Sequence, residues 1–276
     1  MSFLQCGKFK LSLERPLIMG VVNVTPDSFS DGGLFADAGQ AAAHARQLIE
    51  EGADILDIGG ESTRPGSLPV ALEEERRRVL PVIEHLASCG VPVSVDTWKP
   101  ELMLEAIAAG ASMVNDINAL GAPGAMEAVA GSGAAVCLMH KQGDPKTMQV
   151  NPSYQDVVRE VRDYLAGRVA AAERAGIIRD RIVVDPGFGF GKNVEHNLAL
   201  LRSLREIRAL GVALMAGLSR KAMLGKLTGR EPQERVHASV AAALLAVQNG
   251  AHIVRAHDVA ATRDALAVWQ AVEKRD

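Results

Sequence analysis

The 276-residue sequence predicts an α/β protein, a (β/α)8 TIM barrel with a short N-terminal β-hairpin. Short runs rich in valine and isoleucine alternate with helix-length amphipathic segments, and this pair recurs about every 32 residues along the chain. The strand runs are apolar on both faces, which is typical of a parallel sheet covered by helices. We expect residues 1–276 to form a single domain, because no proline-rich or low-complexity linker divides them. An open doubly wound sheet is the alternative fold.

The elements of this repeat follow one another in a regular order. Residues 1–16 alternate polar and apolar side chains, which predicts the hairpin and lacks the apolar core of a signal peptide. Strands are predicted at Leu17–Val24, Asp54–Gly59, Val91–Asp96, Ser112–Ile117, Ala134–His140, Arg181–Pro186, Val212–Gly217 and His252–His257. Helices are predicted at Gln40–Glu51, Leu72–Ser88, Pro100–Ala109, Pro123–Ala130, Tyr154–Ala175, His196–Leu210, Glu234–Asn249 and Val259–Lys274. Gly-Ala pairs at 52–53, 110–111 and 250–251 suit helix C-caps.

Composition and charge restrict the possible partners. Hydrophobic residues make up 48% of the chain and the net charge is −3, so no basic field is present to hold nucleic acid or an anionic membrane. The most apolar helical run, Ala238–Val247, is too short to span a bilayer. Cys6, Cys89 and Cys137 lack CxxC spacing, and we interpret them as reduced thiols of a cytoplasmic protein. The expected partners are therefore small molecules, with no nucleic acid and no membrane.

Polar residues follow all eight predicted strands, at the end of the barrel that carries the chemistry in this fold. Asp96, Asn115 and Asp185 lie inside or at the end of the runs VSVD, MVND and IVVD, where an unpaired carboxylate is costly to desolvate. A lone Asp after a strand is more often a helix cap, so the inference depends on the whole set. We interpret these residues as partners for the N–H groups of a flat, guanidine-like heterocycle, with Lys221 facing a carbonyl on the same ring.

A second group of strand-end residues suits an anion with several oxygens. It comprises Ser62, Thr63, Arg64, Ser219, Arg220, Arg255 and His257. Arginine presents two aligned donors to such an anion. This group predicts a bound phosphate or pyrophosphate.

Asn23 ends the first barrel strand and offers a neutral oxygen ligand. Such a ligand suits Mg²⁺, which is held mostly by water and substrate phosphates, and it fits Zn²⁺ poorly. The seven histidines form no HExxH motif. We therefore expect Mg²⁺ as the cofactor.

The glycine-rich stretch DPGFGFGKN matches neither of the phosphate-binding patterns GxxxxGK[ST] and GxGxxG. We interpret Gly187, Gly189 and Gly191 as positions where the backbone passes close to a flat ligand. Phe188 or Phe190 is then expected to cover one face of the ligand ring.

The charged run from Glu73 to Arg78 has a simpler interpretation. Three acidic residues precede three arginines on a predicted helix. Pairs spaced three and four residues apart on a solvated helix face account for this run without a function.

Seven stretches together resemble the dihydropteroate synthase family: MGVVNVTPDSFSDGG, GADILDIGGESTRPG, VSVDT, VNDI, VVDPGFGFGK, GLSRKAMLG and VRAHDV. They extend from residue 19 to residue 259 in the order of the family. The resemblance implies condensation of (7,8-dihydropterin-6-yl)methyl diphosphate with 4-aminobenzoate to 7,8-dihydropteroate and pyrophosphate, in folate biosynthesis, with Mg²⁺ and by SN1-like loss of diphosphate. It further implies a homodimer and competition by sulfonamides that mimic 4-aminobenzoate.

The resemblance also implies a role for each matching residue. The pterin is expected to contact Asp96, Asn115, Met139, Asp185, Phe190, Gly217, Lys221 and Arg255. The diphosphate is expected to contact Asn23, Ser62, Thr63, Arg64, Arg255 and His257, with Asn23 also ligating Mg²⁺. The 4-aminobenzoate is expected to contact Phe29, Thr63, Pro65 and Ser219. The catalytic residues are expected to be Asp31, Arg64, Lys221, Arg255 and His257.

One residue departs from the family pattern. Ala222 follows Lys221 where many relatives have Ser or Thr, so a hydroxyl near the 4-aminobenzoate carboxylate is missing. The carboxylate is expected at the start of the helix that follows the seventh strand.

The first loop, TPDSFSDGG, is expected to fold over the bound diphosphate and exclude water, because Pro26 and Gly32-Gly33 prevent regular structure. Phe29 would then lie against the amine, and Asp31 near the cation formed in the reaction.

Two alternatives stay open, a pterin-binding methyltransferase domain and a catalytically silent pterin-binding paralogue. SRK after strand seven and TPDSFSDGG disfavour the first, and the cationic residues of the predicted catalytic set disfavour the second.

Overall fold

The computed structural model describes residues 1–24, 34–61, 69–144 and 147–273. The strands are β1 Phe3–Cys6, β2 Phe9–Ser12, β3 Leu17–Asn23, β4 Ile55–Gly59, β5 Val93–Asp96, β6 Met113–Asp116, β7 Ala135–Met139, β8 Ile182–Asp185, β9 Ala213–Ala216 and β10 Ile253–Ala256. The α-helices are α1 Leu34–Glu50, α2 Leu72–Leu86, α3 Pro100–Ala109, α4 Ala125–Ala130, α5 Val157–Arg174, α6 Val194–Arg202, α7 Leu204–Arg208, α8 Ala222–Thr228, α9 Val236–Gln248 and α10 Val259–Glu273.

Strands β3 to β10 pair in parallel and close into a barrel in the order β10-β3-β4-β5-β6-β7-β8-β9. Strands β1 and β2 form a separate antiparallel hairpin, with Phe3 opposite Ser12 and Cys6 opposite Phe9. The predicted fold class is confirmed. No helix in the described ranges is both long and apolar enough to cross a membrane.

The predicted helices differ from the observed ones at three main places. Helix α1 begins at Leu34, six residues before the predicted start at Gln40. The predicted helix His196–Leu210 is divided into α6 and α7 at Ser203, whose backbone has φ −105° and ψ 19°. A helix after the seventh strand was expected, but the bounds of α8 were not predicted, because α8 is short and contains Gly225. A side chain at Gly225 would lie 2.2 Å from Nη2 of Arg235, so this glycine makes room for the guanidinium and obscures the helical pattern.

Alternate residues of each barrel strand point into the barrel, because successive side chains of a strand face opposite sides. The inward residues of the lower layers form one apolar cluster: Leu17, Met19, Ile55, Met113, Ala135, Cys137, Val183, Ala213, Met215 and Ile253. Leu4, Cys6 and Leu13, from the hairpin and the segment after it, belong to the same cluster. The hairpin therefore closes the amino-terminal end of the barrel. The outward residues pack against the surrounding helices in a second, larger cluster.

The same alternation continues toward the carboxyl ends of the strands. Two residues beyond Ile55, Met113, Val183 and Ile253 stand Asp57, Asn115, Asp185 and Arg255. These inward positions are polar where the lower ones are apolar. The period of two that builds the apolar core thus also places a polar layer directly above it.

If the hairpin completes the core, the substitution Leu4→Ala will lower the free energy of unfolding by about 2–5 kcal/mol, because it leaves a cavity at a fully buried position. The matched control is Leu104→Ala on α3, where the side chain is 54% exposed. It should change the free energy of unfolding by about 0.5 kcal/mol or less. Urea denaturation measures both, and equal effects would contradict a core role for the hairpin.

Candidate active site

An open cavity of about 870 Å³ lies at the carboxyl ends of the barrel strands. The predicted site residues that line it are Asn23, Asp96, Asn115, Met139, Asp185, Phe190, Gly217, Ser219, Lys221, Arg255 and His257. The predicted residues Phe29, Asp31, Ser62, Thr63, Arg64 and Pro65 lie outside the described residues. Every predicted site residue within the described ranges therefore faces one cavity, while the individual roles remain predictions.

Arg255 is held between two buried carboxylates. Its Nε donates to Oδ2 of Asp57 at 2.7 Å, and its Nη2 donates to Oδ2 of Asp96 at 2.9 Å. Nδ2 of Asn115 donates to the same oxygen of Asp57 at 2.9 Å. Burial by itself lowers the pKa of Arg255, but the charges of Asp57 and Asp96 outweigh it and raise that pKa, so the guanidinium stays protonated.

Two carboxylates, those of Asp96 and Asp185, line the cavity. Burial raises the pKa of Asp96 to about 7; the charge of Asp57 adds to this effect and that of Arg255 opposes it. Oδ1 of Asp96 has no hydrogen-bond partner among the described residues. In Asp185, Oδ1 accepts from the N–H of Gly187 at 2.7 Å, and Oδ2 lies 3.8 Å from the position of a Cβ built on Gly217. The absent side chain of Gly217 therefore keeps the space beside Asp185 open.

Lys221 and Phe190 also line the cavity. Nζ of Lys221 donates to the carbonyl oxygen of Phe188 and lies 4.4 Å from the centroid of the Phe190 ring. Burial lowers the pKa of Lys221 to about 8, and the charge of Asp185 opposes this shift. Phe190 packs with Met139 and other apolar residues, which provides a surface for one face of a ring.

Ser219 and His257 lie together at the cavity rim. Oγ of Ser219 accepts from the backbone N–H of His257 at 3.2 Å and lies 3.0 Å from its Nδ1. The neighbouring Arg220, which we predicted to face an anion, pairs with Asp258 through Nε at 3.1 Å and Nη2 at 2.5 Å. Arg220 also lines the cavity, so its role toward an anion stays a prediction.

Asn23 ends β3 and is half-buried at the cavity. Its Oδ1 lies 4.0 Å from where a Cβ on Gly59 would stand, so Gly59 leaves space around this oxygen. The described residues contain no group of three or more His, Cys, Asp and Glu side chains that could hold a metal ion. A single neutral oxygen at an open cavity fits Mg²⁺, which retains water and takes phosphate oxygens, and does not fit a zinc site.

Comparisons with known proteins agree with this geometry. A sequence model of the pterin binding enzyme family matches residues 19–257. The dihydropteroate synthase of Neisseria meningitidis serogroup B is 54% identical over 275 residues, which cover 97% of this chain and 96% of that protein. The chain belongs to the dihydropteroate synthase family. The resemblance seen in the motifs is thereby confirmed.

Solved structures of the dihydropteroate synthase family share the whole fold. That of Xanthomonas albilineans with 4-aminobenzoic acid has a TM-score of 0.94 at 56% identity, covering 100% of this chain and 99% of that chain. That of Burkholderia cenocepacia complexed with 7,8-dihydropteroate has a TM-score of 0.90 at 52% identity, covering 98% and 96%.

In this member of the dihydropteroate synthase family, the glycines of DPGFGFGKN pack against the protein itself. A Cβ on Gly187 would lie 1.9 Å from the carbonyl oxygen of His140, and one on Gly191 would lie 2.3 Å from that of Gln142. Both glycines have positive φ angles, 68° and 65°. The expectation that these glycines approach a ligand was wrong for this pair, because they bring the loop after β8 against the loop after β7. Phe188 is fully buried, which leaves Phe190 as the ring at the cavity.

Lys192 was missed in the sequence, although it fastens these two loops together. Its buried Nζ lies 2.9 Å from Nδ1 of His140 and donates to the carbonyl oxygens of Gly187 and Phe190, both at 3.0 Å. Burial lowers the pKa of Lys192 to about 7, although the charge of Asp185 raises it. Burial also lowers the pKa of His140 to about 3, so its Nδ1 can accept from the ammonium group. Only the position of Lys192 after three glycines hinted at this role.

A buried ion-pair cluster anchors the end of β4. Nζ of Lys99 donates to Oε2 of Glu61 at 2.5 Å and to the carboxylate of Glu75. Glu75 is fully buried on α2, and burial raises its pKa while Lys99 opposes the shift. Helical pairs such as Arg77–Glu74 form as expected. The interpretation of the charged run as a solvated face was wrong for Glu75, whose role required knowing where Lys99 lies.

The substitution Lys192→Met should change how stability depends on pH. Between about pH 7 and the ordinary lysine pKa of 10.5, the unfolded chain holds the lysine proton and the folded protein releases it. The free energy of unfolding contributed by Lys192 therefore rises with pH in this window. We expect the free energy of unfolding of the wild type to rise, relative to that of Lys192→Met, by up to about 1.4 kcal/mol per pH unit.

Urea denaturation at several pH values measures this difference. The control Lys8→Met changes an exposed lysine of the hairpin loop. Its free energy of unfolding should depend on pH in the same way as that of the wild type. A difference between wild type and Lys192→Met that stays constant from pH 7 to pH 10 would contradict the assignment.

Proposed function

We propose that this protein condenses (7,8-dihydropterin-6-yl)methyl diphosphate with 4-aminobenzoate to 7,8-dihydropteroate and pyrophosphate, as a transferase of folate biosynthesis. One observation supports this most strongly. Acceptors suited to a nitrogen-rich ring and cations suited to a diphosphate line the same cavity of about 870 Å³. Relatives of the same family are named for this activity and have been solved with 4-aminobenzoic acid and with 7,8-dihydropteroate.

The pterin ring would lie between the acids and the apolar wall. Asp185 would accept hydrogen bonds from ring N–H groups through Oδ2, because its Oδ1 already accepts from the N–H of Gly187. Asp96, which also lines the cavity, is proposed as the second acceptor. Asn115 meets the same polar edge, and Lys221 donates to the ring carbonyl. Phe190 covers one face of the ring, together with Met139, and Gly217 leaves the space that the ring fills.

Bond breaking would precede bond making. An arylamine is unprotonated at neutral pH, so the protein needs no strong base to produce the nucleophile. The C–O bond to diphosphate breaks with its electron pair on the leaving oxygen, and the ring nitrogens share the positive charge left on the CH₂ group. The amine lone pair then forms the C–N bond, and the amine loses a proton to solvent.

The role of the cations is to stabilise the leaving group. Arg255 and His257 face the cavity where negative charge grows on the diphosphate, and such preorganised charge usually contributes most to catalysis. Arg64, with Ser62 and Thr63, is proposed to complete this set. Asn23 would hold Mg²⁺, which, when bound, neutralises part of the negative charge of the diphosphate. Asp31 is proposed to act on the cation.

The 4-aminobenzoate is proposed to bind beside Ser219, with Phe29, Thr63 and Pro65 around its ring. Ala222 lines the cavity as the first residue of α8, and it carries no hydroxyl. The affinity for the carboxylate of this substrate would therefore depend on backbone N–H groups.

We also propose a cytoplasmic homodimer. Cys6, Cys89 and Cys137 are all free thiols, which suits a reducing compartment. Neighbouring helices α9 and α10 carry exposed apolar side chains, Leu245 at 47%, Val268 at 68% and Val272 at 74%. Such side chains are consistent with a second copy packing against these helices.

The decisive experiment incubates the protein with the pterin diphosphate, 4-aminobenzoate and Mg²⁺. Pyrophosphate and 7,8-dihydropteroate should form in equal amounts, and chelation of Mg²⁺ should suppress both. The variant Asp185→Asn should lower the rate on the order of 100-fold, because ring N–H groups lose their charged acceptor. Absence of pyrophosphate release by the folded wild type would refute the proposed function.

The substitution Ala222→Ser should strengthen 4-aminobenzoate binding. A hydroxyl donor to the carboxylate is worth about 1 kcal/mol, so KM for 4-aminobenzoate should fall about 5-fold while KM for the pterin diphosphate stays the same. Ala222→Cys is the matched control, since a thiol of similar size is a weak donor. An equal change in both variants would show that volume, and not the hydroxyl, determines the affinity.

A further inference from the structure

Asp57 belongs to the polar layer of the barrel, but it is not one of the residues that line the cavity. It stands between Ile55 and Gly59 on the inward face of β4, and its side chain is fully buried. A ligand in the cavity cannot reach a fully buried carboxylate directly. Any effect of Asp57 on the reaction must therefore act through its neighbours.

Both hydrogen bonds of Asp57 go to side chains that line the cavity. Oδ2 accepts from Nε of Arg255 at 2.7 Å and from Nδ2 of Asn115 at 2.9 Å. Oδ1 has no partner among the described residues, and neither has Oγ of Ser94, its register partner on β5. The carboxylate thus uses one oxygen for two residues of the site.

A comparison with Asp116 shows that this pattern is not simply structural. Asp116 is equally buried, but its two oxygens accept from the backbone N–H groups of Asn118 and Leu120, each at 2.7 Å. It therefore fixes the turn after β6. Among the described residues, the contacts of Asp57 go to side chains and not to backbone N–H groups, so Asp57 holds side chains and not a loop.

The geometry at Arg255 explains what Asp57 adds. Asp96 alone would hold the guanidinium through one bond at Nη2, about which it could rotate. The second bond at Nε fixes the plane of the guanidinium, because two separated donors are then held. Nη1 takes no part in these two bonds and is left for a ligand in the cavity.

A buried carboxylate is costly, and an apolar residue of similar volume would often stabilise the fold as well or better. From these contacts we infer that Asp57 is a positioning residue of the reaction, which fixes the guanidinium of Arg255 and the amide of Asn115 against the pterin and its leaving diphosphate. This inference rests on the proposed function for the roles of Arg255 and Asn115.

The test is a double-mutant cycle with Asp57→Asn and Arg255→Ala, measured by the rate of 7,8-dihydropteroate formation. Asn keeps the shape of Asp57 and still accepts from Asn115, but it loses the charge that holds Arg255. We expect kcat to fall on the order of 10- to 100-fold, with KM for 4-aminobenzoate changed less than about 3-fold. In the Arg255→Ala background, Asp57→Asn should lower kcat by less than about 3-fold.

The matched control is Asp116→Asn, which removes the charge of an equally buried aspartate outside the cavity. It should lower the melting temperature and leave kcat unchanged. If Asp57→Asn does not fold, Asp57→Ser replaces it in the cycle. A full loss of kcat that persists in the Arg255→Ala background would overturn the inference, as would a wild-type rate in Asp57→Asn. An inactive wild type would instead refute the proposed function, so the two failures are distinguishable.

Discussion

The pairing of Arg255 with Asp57 and Asp96 is the interaction on which the site depends. A buried carboxylate without a partner costs several kcal/mol, and here two acids are buried at the centre of a barrel. One guanidinium compensates both of them, with bonds of 2.7 and 2.9 Å. Because the arginine is fixed by two acids, its remaining donors have a defined direction. The same contacts that make burial tolerable therefore also prepare the site for a ligand.

The rest of the barrel supports this polar layer from below. The inward residues under it are apolar, and the N-terminal hairpin adds Leu4 and Cys6 to the same cluster. On one side, Lys192 joins the loop after β8 to the loop after β7, through Gly187 and Phe190 in the first and His140 in the second. That contact orients the aromatic wall of the cavity. Rigid apolar layers and one buried lysine thus hold the chemically active residues in place.

Much of this arrangement could be predicted from the sequence, and the exceptions have physical reasons. Strand-end residues such as Asp96 and Asp185 stand out, because polar side chains are rare at the end of an apolar run. Asp57 lies inside the run ILDIG, where only the period of two, counted from Ile55, reveals its inward direction. Lys192 and Glu75 depend on partners distant in sequence, and periodicity carries no information about those. The glycines of the loop after β8 were recognised, but the neighbouring loop that requires them could not be.

The charges of the described site also indicate what the diphosphate needs. Three buried acids are matched by three cations: Asp57, Asp96 and Asp185 by Lys192, Lys221 and Arg255. A neutral pterin ring can enter such a balanced set without further charge. A diphosphate brings several negative charges, for which this set holds no surplus, so its counter-charge has to come from groups added around it. Arg64, His257 and Mg²⁺ are the groups proposed for that position, and the balance of the inner set is the physical reason why the reaction would require them.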